Sequence, residues 1–467
     1  ANYAYEEAAN RFRTALSALD DTPMNGDKAD LMFGMGRSQL ALFDVQSGWQ
    51  FLKPAFDYYA DVGDNDKAIQ VAQYPFAPVT GVFPPDLEDV LTRALDIVTK
   101  GSIDSVRILS TYGRLLSNVN GDYEKAREVF GKAIDISRRE QDHDLEIISL
   151  AAAAAGDSYD NNWQRCVEWC LEVLELRDKS NDLFALTSAT AFLIRGLIAT
   201  GHPEQASQHA LEFLSLAERF RDHGVLSTAY WLNGVIARMK GDWDEARRFT
   251  DIAFDWSPGD GRVLGTRIVM EFDLGENADG ESFLNESVSD DNIGPYYVHP
   301  PVFASQGIDV GIEASTAFYE ELLAQPHPPP MSVCVATTAL GLTAVAEGDI
   351  GAIRRHRQTM SSFDGGFVWF AFVCVDRISG ILASALGEFD LANGHFSDAE
   401  AFYRKAGYSP ELAWSLSCHA DMVLTRDGDA DRDRATTLLD ESLQISSDLG
   451  MRPLMERVLS RREILKA

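Results

Sequence analysis

Nine histidines and five cysteines are the residues of this chain best suited to metal binding, proton transfer or nucleophilic attack. Their spacing fits none of these tasks. Cys166 and Cys170 stand four apart, which suits one face of a helix and not a CxxC redox pair. With Cys334, Cys374 and Cys418 they form an odd, scattered set. Such a set reads as small buried apolar residues, not as a secreted disulfide framework. Cys418 and His419 are adjacent, so a helix points them in different directions, with a core cysteine beside a partly exposed histidine. His143 is followed by Asp144-Leu145-Glu146, the wrong register for a zinc-binding H-E-x-x-H. Gly131-Lys132 is followed by Ala133, and Ala126 stands where a P-loop needs its first glycine. An EF-hand loop begun at Asp429 would use Asp431 and Asp433, but it would place Arg434 at the glycine position and Asp440 at the bidentate glutamate. Strand patterns are almost lacking, so no G-x-G-x-x-G follows a strand, and no G-x-S-x-G elbow occurs. No catalytic residue, metal or cofactor is expected.

The elements that would position any site show a period. Gly121-Asp122-Tyr123 precedes Ala126, Gly201-His202-Pro203 precedes Ala206, Gly241-Asp242-Trp243 precedes Ala246, and Gly387-Glu388-Phe389 precedes Ala392. Weaker copies begin at Gly63, Gly348 and Gly428. Gly201 and Gly241 are 40 residues apart, and the midpoint between Gly121 and Gly201 falls at Asn161, in the turn-like Asp160-Asn161-Asn162-Trp163. The glycine can end one helix in the left-handed conformation, and the Asp after it can cap the next. Small and aromatic residues recur where two helices must approach, as in Gly380, Ala392, Phe396 and Ala399. Each unit of about 40 residues is thus a helical hairpin that buries its apolar face only by stacking on its neighbours.

This pattern resembles the tetratricopeptide repeat. Gly380, Gly387, Ala392, Phe396 and Ala399 fit that family's small, Gly, Ala, aromatic and Ala positions. Gly121, Ala126, Phe130 and Ala133 fit its second half. The unit here is longer than the family's 34 residues. The resemblance implies an all-α, right-handed α-solenoid of about 11 degenerate hairpins. In such arrays the first helix of each hairpin lines a concave groove. Counting back from the turn glycines places Arg195, Trp231, Arg238 and Arg377 on that inner face, with Arg114 close in phase. Arginines there would invert the sign of a chain with net charge −31 and would suit an anionic effector or acidic peptide. The alternative is ordinary snorkelling from exposed helix positions.

Two segments interrupt the helices. Residues 73–85 contain Tyr74 and Phe76, and residues 290–307 contain Tyr296, Tyr297 and His299. Both are rich in proline, which cannot sit inside a helix. They read either as lids folded over the groove or as distorted repeats. They divide the chain into blocks at 1–80, 81–290 and 291–467.

The stretch from about 390 to 460, with Ser409-Pro410-Glu411-Leu412-Ala413-Trp414 and Leu449-Gly450-Met451-Arg452-Pro453, resembles the helical-repeat region of large bacterial signalling ATPases, some with a LuxR-type domain. That resemblance implies a non-catalytic sensor or scaffold that binds a protein, peptide or small effector and regulates an attached signalling ATPase or transcription regulator. The start at Tyr5-Glu6-Glu7-Ala8 reads as the second helix of a hairpin, so an NTPase module is expected upstream. A stand-alone adaptor is the alternative, and an enzyme with a site near His299 a third. The 72 acidic against 41 basic residues argue against nucleic-acid binding by this region and against docking on anionic lipid. The uncharged run Met331 to Ala346 is too short to span a bilayer, so a cytoplasmic location is expected.

Overall fold

The computed structural model describes residues 2–42, 45–74, 83–220, 223–258, 260–288, 302, 312–426 and 431–466. Among them are 23 α-helices, packed pairwise in chain order as tetratricopeptide-like hairpins.

The turns follow from local chemistry. Gly63, Gly121, Gly241 and Gly348 all have positive φ, between 63° and 84°. The Asp after each caps the following helix, accepting from the backbone N–H of Lys67, Lys125, Glu245 and Ala352 respectively. The N–H groups of Asp242 and Asp349 also reach back to the carbonyls of Ala237 (2.9 Å) and Ala344 (3.0 Å), satisfying acceptors that the ending helix leaves open. At the midpoint turn Asn161 takes the left-handed conformation (φ 59°), and Asn162 caps Arg165. Glu388 departs from this scheme. It makes no side-chain cap, and its carboxylate pairs with Arg357 at 3.1 Å. The weak copy at Gly428 lies outside the described residues.

Close helix approach explains the small residues. A Cβ on Gly380 would fall 3.0 Å from the Phe396 ring, so the aromatic of the second helix lies directly on the backbone of the first. Ala392 and Ala399 on the same face are fully buried.

The chain forms two compact units: Ala1–Leu193 with Ser215–Leu226, and Ile194–Leu214 with Ser227–Ala467. The boundaries expected near residues 80 and 290 both lie outside the described residues. In the first unit the alanine-rich helix His143–Tyr159 packs against both Ser105–Asn118 and Trp163–Leu176, with Ala151 to Ala155 all buried.

The second unit does more than stack neighbours. Trp243 donates to the Leu449 carbonyl (2.8 Å), Tyr408 to the Ile198 carbonyl (2.9 Å) and Arg452 to the Leu274 carbonyl (3.1 Å). These bonds join its early helices to its late ones, beyond the nearest-neighbour contacts of a linear array. Contrary to the expectation from its uncharged run, the helix Pro330–Glu347 is long and apolar enough to cross a membrane, although 67% of it is buried inside the protein. One feature departs from the strand-poor expectation. Phe367–Val368 and Val373–Cys374 form an antiparallel hairpin in the register Phe367↔Cys374 and Val368↔Val373.

Candidate functional site

The inner-face residues expected from sequence separate into two settings. Arg114 belongs to the first unit. It lines a cavity of about 90 Å³ framed by the helices Ser105–Asn118, His143–Tyr159 and the start of Leu183–Ala199. Ser110, Ala151, Ala152, Ala185 and Ser188 keep the walls low, and Phe83 closes one side. Such a volume holds a side chain, well short of the several hundred Å³ of a typical small-molecule pocket. Arg114 is half-buried with its guanidinium 5.6 Å from the Phe83 ring centre, and burial pulls its pKa below the ordinary value. Arg107 also lines the cavity, 3.8 Å from Asp182. Asp182 in turn accepts from the Ala185 N–H (2.9 Å) at the start of its helix.

Arg195, Trp231, Arg238 and Arg377 come together in the second unit, in its interior. Arg238 Nη2 lies 2.9 Å from Asp273 and 2.6 Å from Glu411, and Arg377 Nη1 lies 2.7 Å from Glu411. All four groups are 1–2% exposed. Burial alone would lower the Arg238 pKa, but the charges of Glu411 and Asp273 outweigh it and raise it. Burial pushes the Asp273 carboxyl up, against the pull of Arg238. Trp414 donates to the second Asp273 oxygen (2.8 Å). Two arginines thus face two carboxylates.

The hairpin fills the remaining space. Trp369 at its tip is fully buried, with Arg195 4.9 Å from its ring centre and Trp231 meeting it edge-on at 6.1 Å. Trp231 donates to Thr266 (2.9 Å), and Arg238 lies 5.9 Å from the Phe372 ring. The expectation of an open, positively charged groove at these four residues is therefore corrected. Carboxylates and aromatics of the same unit occupy that face, because the unit's late helices and hairpin pack onto its early ones.

Tyr74, expected on a lid, packs edge-on against Phe33 at 6.4 Å and beneath Arg37 at 5.3 Å, both on the helix Gly26–Ala41. Phe76, Tyr296, Tyr297 and His299 lie outside the described residues. The five cysteines are buried and unbridged. Burial pushes the Cys334 and Cys374 thiols up to about 12, far from a reactive thiolate. His419, expected to be partly exposed, is 1% exposed. Glu400 at 2.7 Å and Arg434 at 3.1 Å satisfy its two ring nitrogens, and Phe396 stacks on it at 5.3 Å. A buried polar ring is stable when both nitrogens are partnered in this way.

Sequence reasoning missed Trp369, Phe372, Asp273 and Glu411. The run Gly365-Gly366-Phe367-Val368-Trp369-Phe370-Ala371-Phe372-Val373-Cys374 carried a usable signal: a glycine pair before aromatic and β-branched residues, which marks a strand.

No protein-family model matches the chain, and neither does any curated protein. Among solved structures, the chain is similar to the APC/C hetero-tetramer Cut9–Hcn1, with TM-score 0.42, 14% identity and coverage of 97% of this chain and 93% of that one. It is also similar to yeast Tom70, with TM-score 0.31, 14% identity and coverage of 99% and 96%. The assignment as a tetratricopeptide-like helical-repeat protein rests on this chain's own paired helices, turn glycines and Asp caps.

Proposed function

We propose that this chain is a non-catalytic helical-repeat scaffold whose first unit takes an acidic peptide segment of a protein partner, with Arg114 as the central contact. The supporting observation is the cavity along three successive first helices, sized for one side chain, with Arg114 in its wall beside the Arg107–Asp182 pair. An arginine partly withdrawn from water binds a carboxylate more strongly than an exposed one. The aromatic Phe83 and the alanine floor suit an apolar side chain next to that carboxylate.

The test is fluorescence anisotropy with a panel of Asp- and Glu-rich peptides, each carrying one apolar anchor. Arg114→Ala is expected to weaken the best binder at least about tenfold, with the protein's melting temperature nearly unchanged. Equal affinity in the variant would sink the assignment of this cavity.

The finer reading follows the resemblance over about 390–460: partner binding in the cytoplasm regulates an attached signalling ATPase or LuxR-type transcription regulator. The reading frame upstream of the Ala1 codon tests it. A Walker A motif there supports the reading, and a free-standing gene favours a stand-alone adaptor.

A further inference from the structure

We propose that Asp364, Asp376 and His395 form a site for a divalent transition-metal cation, with zinc the best match, at the base of the Trp369 hairpin. One ligand atom from each residue lies within 4.8 Å of the other two. Metal–ligand bonds of about 2.0–2.2 Å in a tetrahedral site separate neighbouring ligand atoms by about 3.3–3.6 Å. Modest side-chain rotation therefore closes this set around an ion.

The fold holds the donors in place independently of any ion. Asp364 immediately precedes the hairpin and Asp376 follows it, so strand pairing brings the two carboxylates together. The hairpin base is closed by Val375 N–H donating to the Gly366 carbonyl (2.9 Å). Gly365 N–H donates to one Asp376 oxygen (3.2 Å), and Ser379 Oγ donates to Asp364 (3.2 Å), orienting both carboxylates. His395 enters from the helix Phe389–Ala406, with Nδ1 2.9 Å from the other Asp376 oxygen. The Asp376 and His395 side chains are 13% and 14% exposed, whereas Asp364 is exposed. The set thus has two half-buried ligands and one on the solvent side, from which water would complete the coordination.

The donor chemistry selects the ion. An imidazole with two carboxylates suits zinc or a neighbouring transition metal better than calcium or magnesium, which prefer oxygen throughout. That imidazole also separates this set from the acidic patches to be expected on a chain of net charge −31. Asp398, one helical turn beyond His395, adds a third carboxylate to the local field. Metal binding at His395 Nδ1 would replace its present contact with Asp376. The bound ion would tie the hairpin base, and so Trp369 and Phe372, to the helix Phe389–Ala406.

The test uses the full chain, free of affinity tag and stripped of metal. Titration with Co²⁺ alone, followed by visible absorption, and with Zn²⁺ alone, followed by calorimetry, is expected to give one equivalent bound. Asp364→Asn and His395→Gln should each weaken binding at least about tenfold. Without metal, Asp364→Asn should keep the wild-type circular dichroism and melting temperature, because Asp364 is on the surface. Zn²⁺ should raise the melting temperature of wild type and not of the variants. No stoichiometric binding below about 1 mM, or binding equally tight in both variants, overturns the site.

Discussion

Arg238 and Glu411 meet at 2.6 Å inside the second unit, 1% and 2% exposed, though they come from opposite ends of that unit's sequence. Glu411 also holds Arg377 at 2.7 Å, so one carboxylate bridges two buried arginines. Removing it leaves Arg377 without this ion pair and Arg238 with Asp273 alone. Breaking a buried pair by deleting one member costs about 3–5 kcal/mol. Glu411→Ala should lower the unfolding free energy by that amount in a urea titration. A loss below about 1 kcal/mol would show that the network contributes little to stability.

Trp369 is the largest apolar group on the hairpin and is fully buried between Arg195, Trp231 and Phe372. Trp369→Ala deletes that packing and should cost about 3–5 kcal/mol. The vacated space should also expose apolar surface, read as increased binding of a hydrophobic dye under native conditions. An unaltered urea midpoint would contradict the role of the hairpin as core.

Two turn glycines separate conformational strain from crowding. Gly387 has φ 73° and open space around it, so Gly387→Ala should cost about 1–2 kcal/mol from the left-handed backbone alone. Gly241 has φ 84°, and a Cβ there would fall 2.7 Å from Leu449 Cδ2. Gly241→Ala should therefore be the more destabilising of the two, because Leu449 must also shift. Equal midpoints for the two variants would mean that the Gly241–Leu449 approach is loose.

Asp260 sets a pH dependence. Burial pushes its carboxyl up, but the Arg262 charge and hydrogen bonds, together with Ser227, outweigh that and hold it below the ordinary 3.8. A carboxylate with a depressed folded-state pKa contributes stability that is complete above its unfolded pKa. That contribution is lost as pH falls through the folded value. Melting temperatures of wild type should thus fall more steeply below about pH 4 than those of Asp260→Asn, which keeps the helix cap on Arg262 N–H but not the charge. Parallel curves for the two proteins would refute this.

The period of about 40 residues, the left-handed glycines at 121, 241 and 348, and the capping Asp residues after them were legible in the amino-acid sequence. Each depends on contacts within a few residues of chain. The approach of Phe396 to Gly380 was legible as well, because helix periodicity places both on facing surfaces. His419 was misjudged, because its ring nitrogens are satisfied by Glu400 and Arg434 from neighbouring helices. The sequence by itself thus determined an all-α repeat of paired helices, and it singled out Arg195, Trp231, Arg238 and Arg377. Tertiary structure alone decided what those residues meet. Small rotations between successive hairpins accumulate along an array, and no local pattern encodes their sum. That sum brings Glu411, Trp414 and the Trp369 hairpin onto the inner face of the second unit, while Arg114 lines a cavity in the first.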